Sequence, residues 1–193
     1  MNTRTIVALF FAASLFVSCQ KDIEYPQGPI YEAGPQTFGW STSEKNGLPF
    51  ESSGFAIRPS GFSEEIFAVD FRTYTDWGAL RETISVGGFE YRLGRYDVVE
   101  NIDFNSIVNS KQVTASYGTL SDDGDVLEDF YTIDERGDNW ATITAIDTID
   151  GEGVISGEYN LHFQFNNSRE KMNAANPDHI RFTDGVFEVR FWN

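Results

Sequence analysis

Residues 155–165 alternate without a break. Ile155, Gly157, Tyr159, Leu161, Phe163 and Phe165 fall on one side, and Ser156, Glu158, Asn160, His162 and Gln164 on the other. Successive side chains of an extended strand point to opposite faces, so this segment has one apolar face and one wet face. A helix, at about 3.6 residues per turn, would scatter the same aromatics around its circumference. The period recurs in Phe67, Val69, Phe71 and Thr73, in Leu80, Glu82, Ile84 and Val86, and in Val113, Ala115 and Tyr117. It recurs again in Ala141, Ile143 and Ala145 against Trp140, Thr142 and Thr144, and in Phe187, Val189 and Phe191 against Glu188, Arg190 and Trp192. No long stretch carries a helical period.

Turn residues separate these runs. Gly87-Gly88 lies between two apolar segments and reads as a turn. Residues 134–139 read as a hairpin loop, and residues 147–153 as another, with Asp150-Gly151 the pair suited to positive φ. Asp184-Gly185 marks a tight turn or a bulge. Residues 166–179 form the longest polar connection, with room for a short helical turn around 169–174. His162 is placed on the polar face of its strand and His179 in a loop after Pro177. About eight to ten short strands with such turns predict an all-β fold, an antiparallel β-sandwich or flattened β-barrel. Hydrophobic residues at 40% and aromatics at 15% supply its core. Gly157, on an apolar face crowded with large side chains, is expected to admit a close neighbour, and Gly185 to supply a backbone conformation that other residues resist.

The first residues read differently. Arg4 is followed by twelve predominantly apolar residues, 6–17, then Ser18 and the only cysteine, Cys19. Twelve residues reach about 18 Å as a helix, short of a hydrocarbon core of roughly 30 Å, so residues 1–18 read as a secretory signal and not a span. A lone cysteine where the apolar run ends resembles the lipid-bearing cysteine of bacterial lipoproteins. The resemblance implies attachment to a membrane through lipid on Cys19. Gln20, Lys21, Asp22, Ile23 and Glu24 resemble the export signal that sends Bacteroidota lipoproteins to the outer face of the outer membrane. Residues 19–36, with Pro26, Gly28, Pro29, Gly34 and Pro35, read as a lipidated flexible tether ahead of a single domain, 37–193. The 17 residues after Cys19 reach at most roughly 55–60 Å.

Five motifs occur in order: Thr37-Phe38-Gly39, Gly47-Leu48-Pro49-Phe50, Gly94-Arg95-Tyr96, Ile155-Ser156-Gly157-Glu158-Tyr159, and the closing run from Thr183 through Asp184, Gly185, Val186, Phe187 and Glu188 to Val189. Together they resemble a group of small Bacteroidota lipoproteins whose domain has no assigned function. The resemblance implies an all-β lipoprotein domain and no catalytic residues.

Chemistry is sparse in the remaining sequence. Thirty acids against 14 bases give a net charge of −16, which argues against a nucleic-acid partner. No phosphate loop, nucleophile elbow or spaced ligand set is present, so no catalytic residue, metal ligand or cofactor is assigned. Asp122, Asp123, Asp125, Glu128 and Asp129 do not match a calcium loop and read as a solvated acidic loop; Asp147, Asp150 and Glu152 read as turn residues. Trp140 and Trp192, on the strand face opposite the small apolar residues, are the candidate ligand-binding residues, with packing in a second layer as the competing reading.

The expected function is that of a lipid-anchored, surface-displayed and non-enzymatic module binding a glycan, peptide or protein. A periplasm-facing structural, accessory or immunity-type envelope subunit is the first rival, and a hydrolase the second. Replacing Cys19 by Ala is expected to move the protein from the membrane pellet to the soluble fraction, read by fractionation and detergent partition.

Overall fold

The computed structural model describes residues 31–59, 65–102, 109–149 and 151–192. The expected signal segment, Cys19 and most of the expected tether lie outside these residues. The chain is all-β, with ten strands: β1 (Gly39–Lys45), β2 (Leu48–Ile57), β3 (Ile66–Tyr74), β4 (Leu80–Glu90), β5 (Gly94–Val99), β6 (Gln112–Leu120), β7 (Leu127–Ile133), β8 (Trp140–Ile149), β9 (Glu152–Phe165) and β10 (His179–Arg190). Among the described residues no helix is long and apolar enough to cross a membrane.

The pairings close into a flattened barrel. The ring runs β10-β1-β2-β3-β4-β6-β7-β9 and returns to β10. One place in the wall is shared between β6 and β9: β7 fills one end of it, and β5 with β8 fills the other. All pairings between the ten strands are antiparallel except the short β5–β6 contact, Asp97–Val99 against Gln112–Thr114. A closed wall leaves no row of unpaired backbone groups along its length.

The period-two runs point inward as their alternation requires. Phe67, Val69, Phe71, Ile84, Tyr117, Tyr159, Phe163, Phe182 and Phe187 are all buried in one core. Phe71 stacks on Tyr159 at 5.2 Å and lies 5.4 Å from Phe187. Gly157 has the expected role. A Cβ there would stand 2.4 Å from both the Phe187 ring and the Thr142 carbonyl oxygen. Gly185 differs. Its φ is not positive; Asp184, at φ 53°, carries that conformation inside a bulge in β10, and Gly185 instead leaves room for the Tyr159 ring.

Several turn readings are corrected. Gly87-Gly88 is no turn: Gly88, at φ 100°, is the extra residue of a bulge within β4, opposite Phe67 and Ala68. Residues 134–139 make no hairpin, because β7 and β8 do not pair with each other; both lie along β9, and the loop steps from Ile133↔Phe163 to Trp140↔Asn160. The 147–153 loop is shorter than read, because β8 and β9 stay paired up to Ile149↔Glu152, so Asp147 and Glu152 are strand residues; Asp150 lies outside the described residues. Residues 166–178 contain turns and no helix, and His179 is the first residue of β10.

The barrel also holds charge. Lys45 ends the inward face of β1, and Glu82 sits on the apolar face of β4; the side chains are 8% and 1% exposed. Lys45 Nζ donates to Glu82 Oε1 and to Tyr117 Oη (3.1 Å). Tyr117 Oη donates to the same carboxylate at 2.5 Å, and Thr73 Oγ1 donates to Glu82 Oε2 at 2.9 Å. Every charged atom has a partner, which a buried pair requires. Lys45→Met, which strands Glu82 in the core, is expected to cost about 3–5 kcal/mol in urea denaturation, and the double variant Lys45→Met/Glu82→Leu to recover most of it.

Candidate functional site

Both ends of the described chain converge on the outer face of β2. The β2–β3 ladder begins at Ser53↔Arg72 and continues to Ile57↔Ala68. Beyond Ser53 the two strands part, and the N-terminal residues enter the gap. Glu32 exchanges both backbone hydrogen bonds with Tyr74 (3.1 and 2.8 Å), and Ser53 N–H donates to the Ala33 carbonyl (2.9 Å). Gly34, at φ 67°, then turns the chain; a Cβ there would stand 2.3 Å from the Tyr74 ring. Thus the last residues of the expected tether are docked onto the barrel as a strap. At the other terminus, Phe191 bridges Ala56 in parallel, and Trp192 N–H donates to the Ala56 carbonyl at 2.8 Å.

Strap and tail enclose a groove of about 430 Å³. Its aromatic end is Phe38 from the strap, Phe55 from β2, and Trp192. Phe38 stacks on Trp192 at 6.0 Å, and Phe55 meets it edge-on at 4.9 Å. Trp192 remains 52% exposed, while Phe55, on the outward face of its strand, is 6% exposed. The polar lining includes Glu32, Arg72 and Asp76. Arg72 lies with its guanidinium 4.5 Å above the Phe55 ring and 6.0 Å from Trp192. Asp70 fixes it through Nη2 at 3.3 Å, and Ser85 Oγ in turn donates to Asp70 at 2.5 Å. Arg72 Nε is buried with no hydrogen-bond partner among the described residues. At the far end, Asp76 and Gly78 belong to a turn tied by Thr75 N–H to the Ala79 carbonyl and by Ala79 N–H to Thr75 Oγ1, each 2.9 Å. That turn presents Trp77, 68% exposed.

The two tryptophans singled out in the sequence are therefore separated. Trp192 lines the groove. Trp140 lies half-buried on the outer face of β8, under the Arg95 guanidinium at 4.4 Å, where it contributes to packing. Phe38, Phe55 and Arg72 were not foreseen as groove residues. Phe38 had a signal in the Thr37-Phe38-Gly39 motif; Arg72 lies between Phe71 and Thr73 on the opposite face of its strand and carried no signal of its own.

The acidic run is not one solvated loop. Asp122 pairs with Arg81 at 3.0 Å and Asp123 accepts from Ser121, both in the loop between β6 and β7. Asp129 belongs to β7, points inward and is fully buried. It accepts from Met172 N–H and Asn176 Nδ2, each at 2.8 Å, and so anchors the 166–178 loop. Among the described residues no group of three or more His, Cys, Asp or Glu side chains is arranged to hold a metal ion.

Both histidines lie near one carboxylate, a convergence invisible in their spacing. Asp134 accepts two 2.7 Å bonds from Arg136 and lies 3.5 Å from His179 Nδ1. His162 faces Arg181 across the β9–β10 ladder and packs beneath Gly137. The Arg136 hydrogen bonds hold the Asp134 carboxyl below its ordinary value of 3.8, and burial holds the His162 ring below 6.5.

No protein-family model, curated protein or solved structure matches this chain. What the fold and geometry define is a closed all-β domain with an aromatic groove where its termini meet.

The two depressed values act in one direction. The unfolded chain protonates His162 and Asp134 more readily than the folded one, so stability from both is present at neutral pH and lost on acidification. The loss begins as pH falls through 6.5 for His162 and resumes through 3.8 for Asp134. His162→Gln is expected to flatten the upper limb of the stability–pH curve and Asp134→Asn the lower one, read as the difference from wild type in urea midpoints.

Proposed function

We propose that this is a lipid-anchored protein of the outer membrane, displayed on the cell surface, that acts without catalysis as a binding module. Its ligand sits in the groove between the strap and the tail. One observation carries this reading: Trp192 is held by Phe38 and Phe55 yet leaves about half its surface open at the end of the groove. A large apolar ring immobilised beside fixed polar groups and open to solvent is the usual composition of a recognition site. The rigid turn that presents Trp77 at the other end supports the same reading.

The address rests on the residue pattern at 6–17, on Cys19 and on the charged residues that follow, together with the resemblance to small Bacteroidota lipoproteins. The strap continues directly from the tether, so the groove lies where the tether joins the domain. The net charge of −16 keeps the domain soluble and repels anionic surfaces.

Two measurements test this proposal. An impermeant protease added to intact cells is expected to shave the domain while a periplasmic control survives; resistance until lysis would instead favour the periplasm-facing subunit. A panel of neutral oligosaccharides, acidic oligosaccharides and peptides is expected to contain a binder whose affinity falls about tenfold or more in Trp192→Ala. Binding by none of these classes, or binding that survives the substitution, overturns the groove as the site.

A further inference from the structure

We infer that the groove takes a neutral, extended polyhydroxylated ligand, an oligosaccharide of pyranose rings, with one ring on Trp192. The inference rests on the proposed role of the groove and specifies what fills it. Four ligand chemistries suit an aromatic groove, and the residues present oppose three of them.

A cation is opposed because its place is taken. The seat for an ammonium or guanidinium group is over the aromatic rings, and Arg72 already lies 4.5 Å above Phe55 and 6.0 Å from Trp192, fixed there by Asp70. A second cation would meet that guanidinium at close range. An anion is opposed by Glu32 and Asp76 in the lining, by Asp70 behind Arg72, and by the charge of −16 on the whole chain. An extended peptide would need a free strand edge to pair with. Among the described residues the parting between β2 and β3 is sealed by the strap, where Glu32 uses both backbone groups of Tyr74 and Ala33 uses the Ser53 N–H, and the tail occupies the side of β2 beyond β1.

A neutral sugar meets none of these obstacles. The C–H face of a pyranose ring stacks on an indole, whose surface is negative above the ring plane and apolar overall. The hydroxyls need donors and acceptors at the margin of that ring. Glu32 and Asp76 accept, and the partly exposed Arg72 guanidinium donates. The groove is also long. From Asp70, opposite Phe55, β3 advances four residues to Tyr74, roughly 13 Å at strand rise, before the turn that carries Asp76 and Trp77, with Trp192 near the other end. A ligand of two or three rings fits that length better than a single sugar.

The test uses the full-length protein with tryptophan fluorescence and calorimetry as readouts. The probes are neutral gluco-, manno- and xylo-configured hexasaccharides, an oligogalacturonate, an oligolysine and a neutral extended peptide. The expected result is binding of at least one neutral hexasaccharide, weakened about tenfold or more by Trp192→Ala and unchanged by Trp140→Ala, with thermal unfolding of both variants confirming a folded domain. Binding of the oligogalacturonate, oligolysine or peptide in place of every neutral sugar, lost in Trp192→Ala, overturns the sugar assignment and leaves the groove as the site. Sugar binding that survives Trp192→Ala overturns both.

Discussion

The structure depends on β10 bonding to two neighbours at once. On one side it pairs with β1 from Gly39↔Val189 to Lys45↔Phe182, and on the other with β9 from Arg190↔Val154 to His179↔Gln164. Without either ladder, the sheet would be open at two edges with its aromatic face against water. With both, the face becomes an interior, and edge strands with unsatisfied backbone groups are avoided along the ring. The bulge at Asp184 belongs to this closure. It shifts register against β1 and β9 together, bending β10 where the wall turns, and Gly185 allows the Tyr159 ring to pass beneath the bend.

A barrel this flat must be filled unevenly. β1 and β2 contribute small inward residues, among them Ser41, Ser52, Gly54 and Ala56, and these face the large rings of Phe71, Tyr159 and Phe187. Ser41 Oγ and Tyr159 Oη share a 2.8 Å hydrogen bond across the interior. At one end of the barrel the filling turns ionic. Lys45, Glu82, Tyr117 and Thr73 satisfy one another, and Asp129 ties the 166–178 loop over its own polar cluster with Thr119 and Asn176. Such networks tolerate little: each lost partner leaves a buried charge or hydroxyl alone.

The groove follows from the same geometry. β1 starts at Gly39, so the wall beside the far half of β2 is left to the C-terminal tail, and the strap must cross the outer face of β2 to reach β1. That crossing buries Ser53 and Phe55, which point away from the barrel, and brings Phe38 onto Trp192. The closed core therefore makes the rigid surface, and the two chain ends make its concavity. Arg72 then sets the character of the site by occupying the cation seat itself.

Much was legible in the residues alone. The strands β3, β4, β6, β8, β9 and β10 were visible because alternation is a local property, carried within a few residues. Trp192 was recognisable as an apolar residue on a wet face. β1 and β2 were not apparent as core strands, because their inward residues are mostly small or polar and show no hydrophobic period. Gly87-Gly88 read as a turn because glycine pairs permit a turn and a bulge equally, and only the partner strand chooses. Local alternation alone specified the all-β class and the faces of its longest strands. Tertiary structure decided the closure, the meeting of His162 and His179 near Asp134, and the parting of Trp192 from Trp140, since each depends on which distant strand lies alongside, and that choice is made by filling one interior.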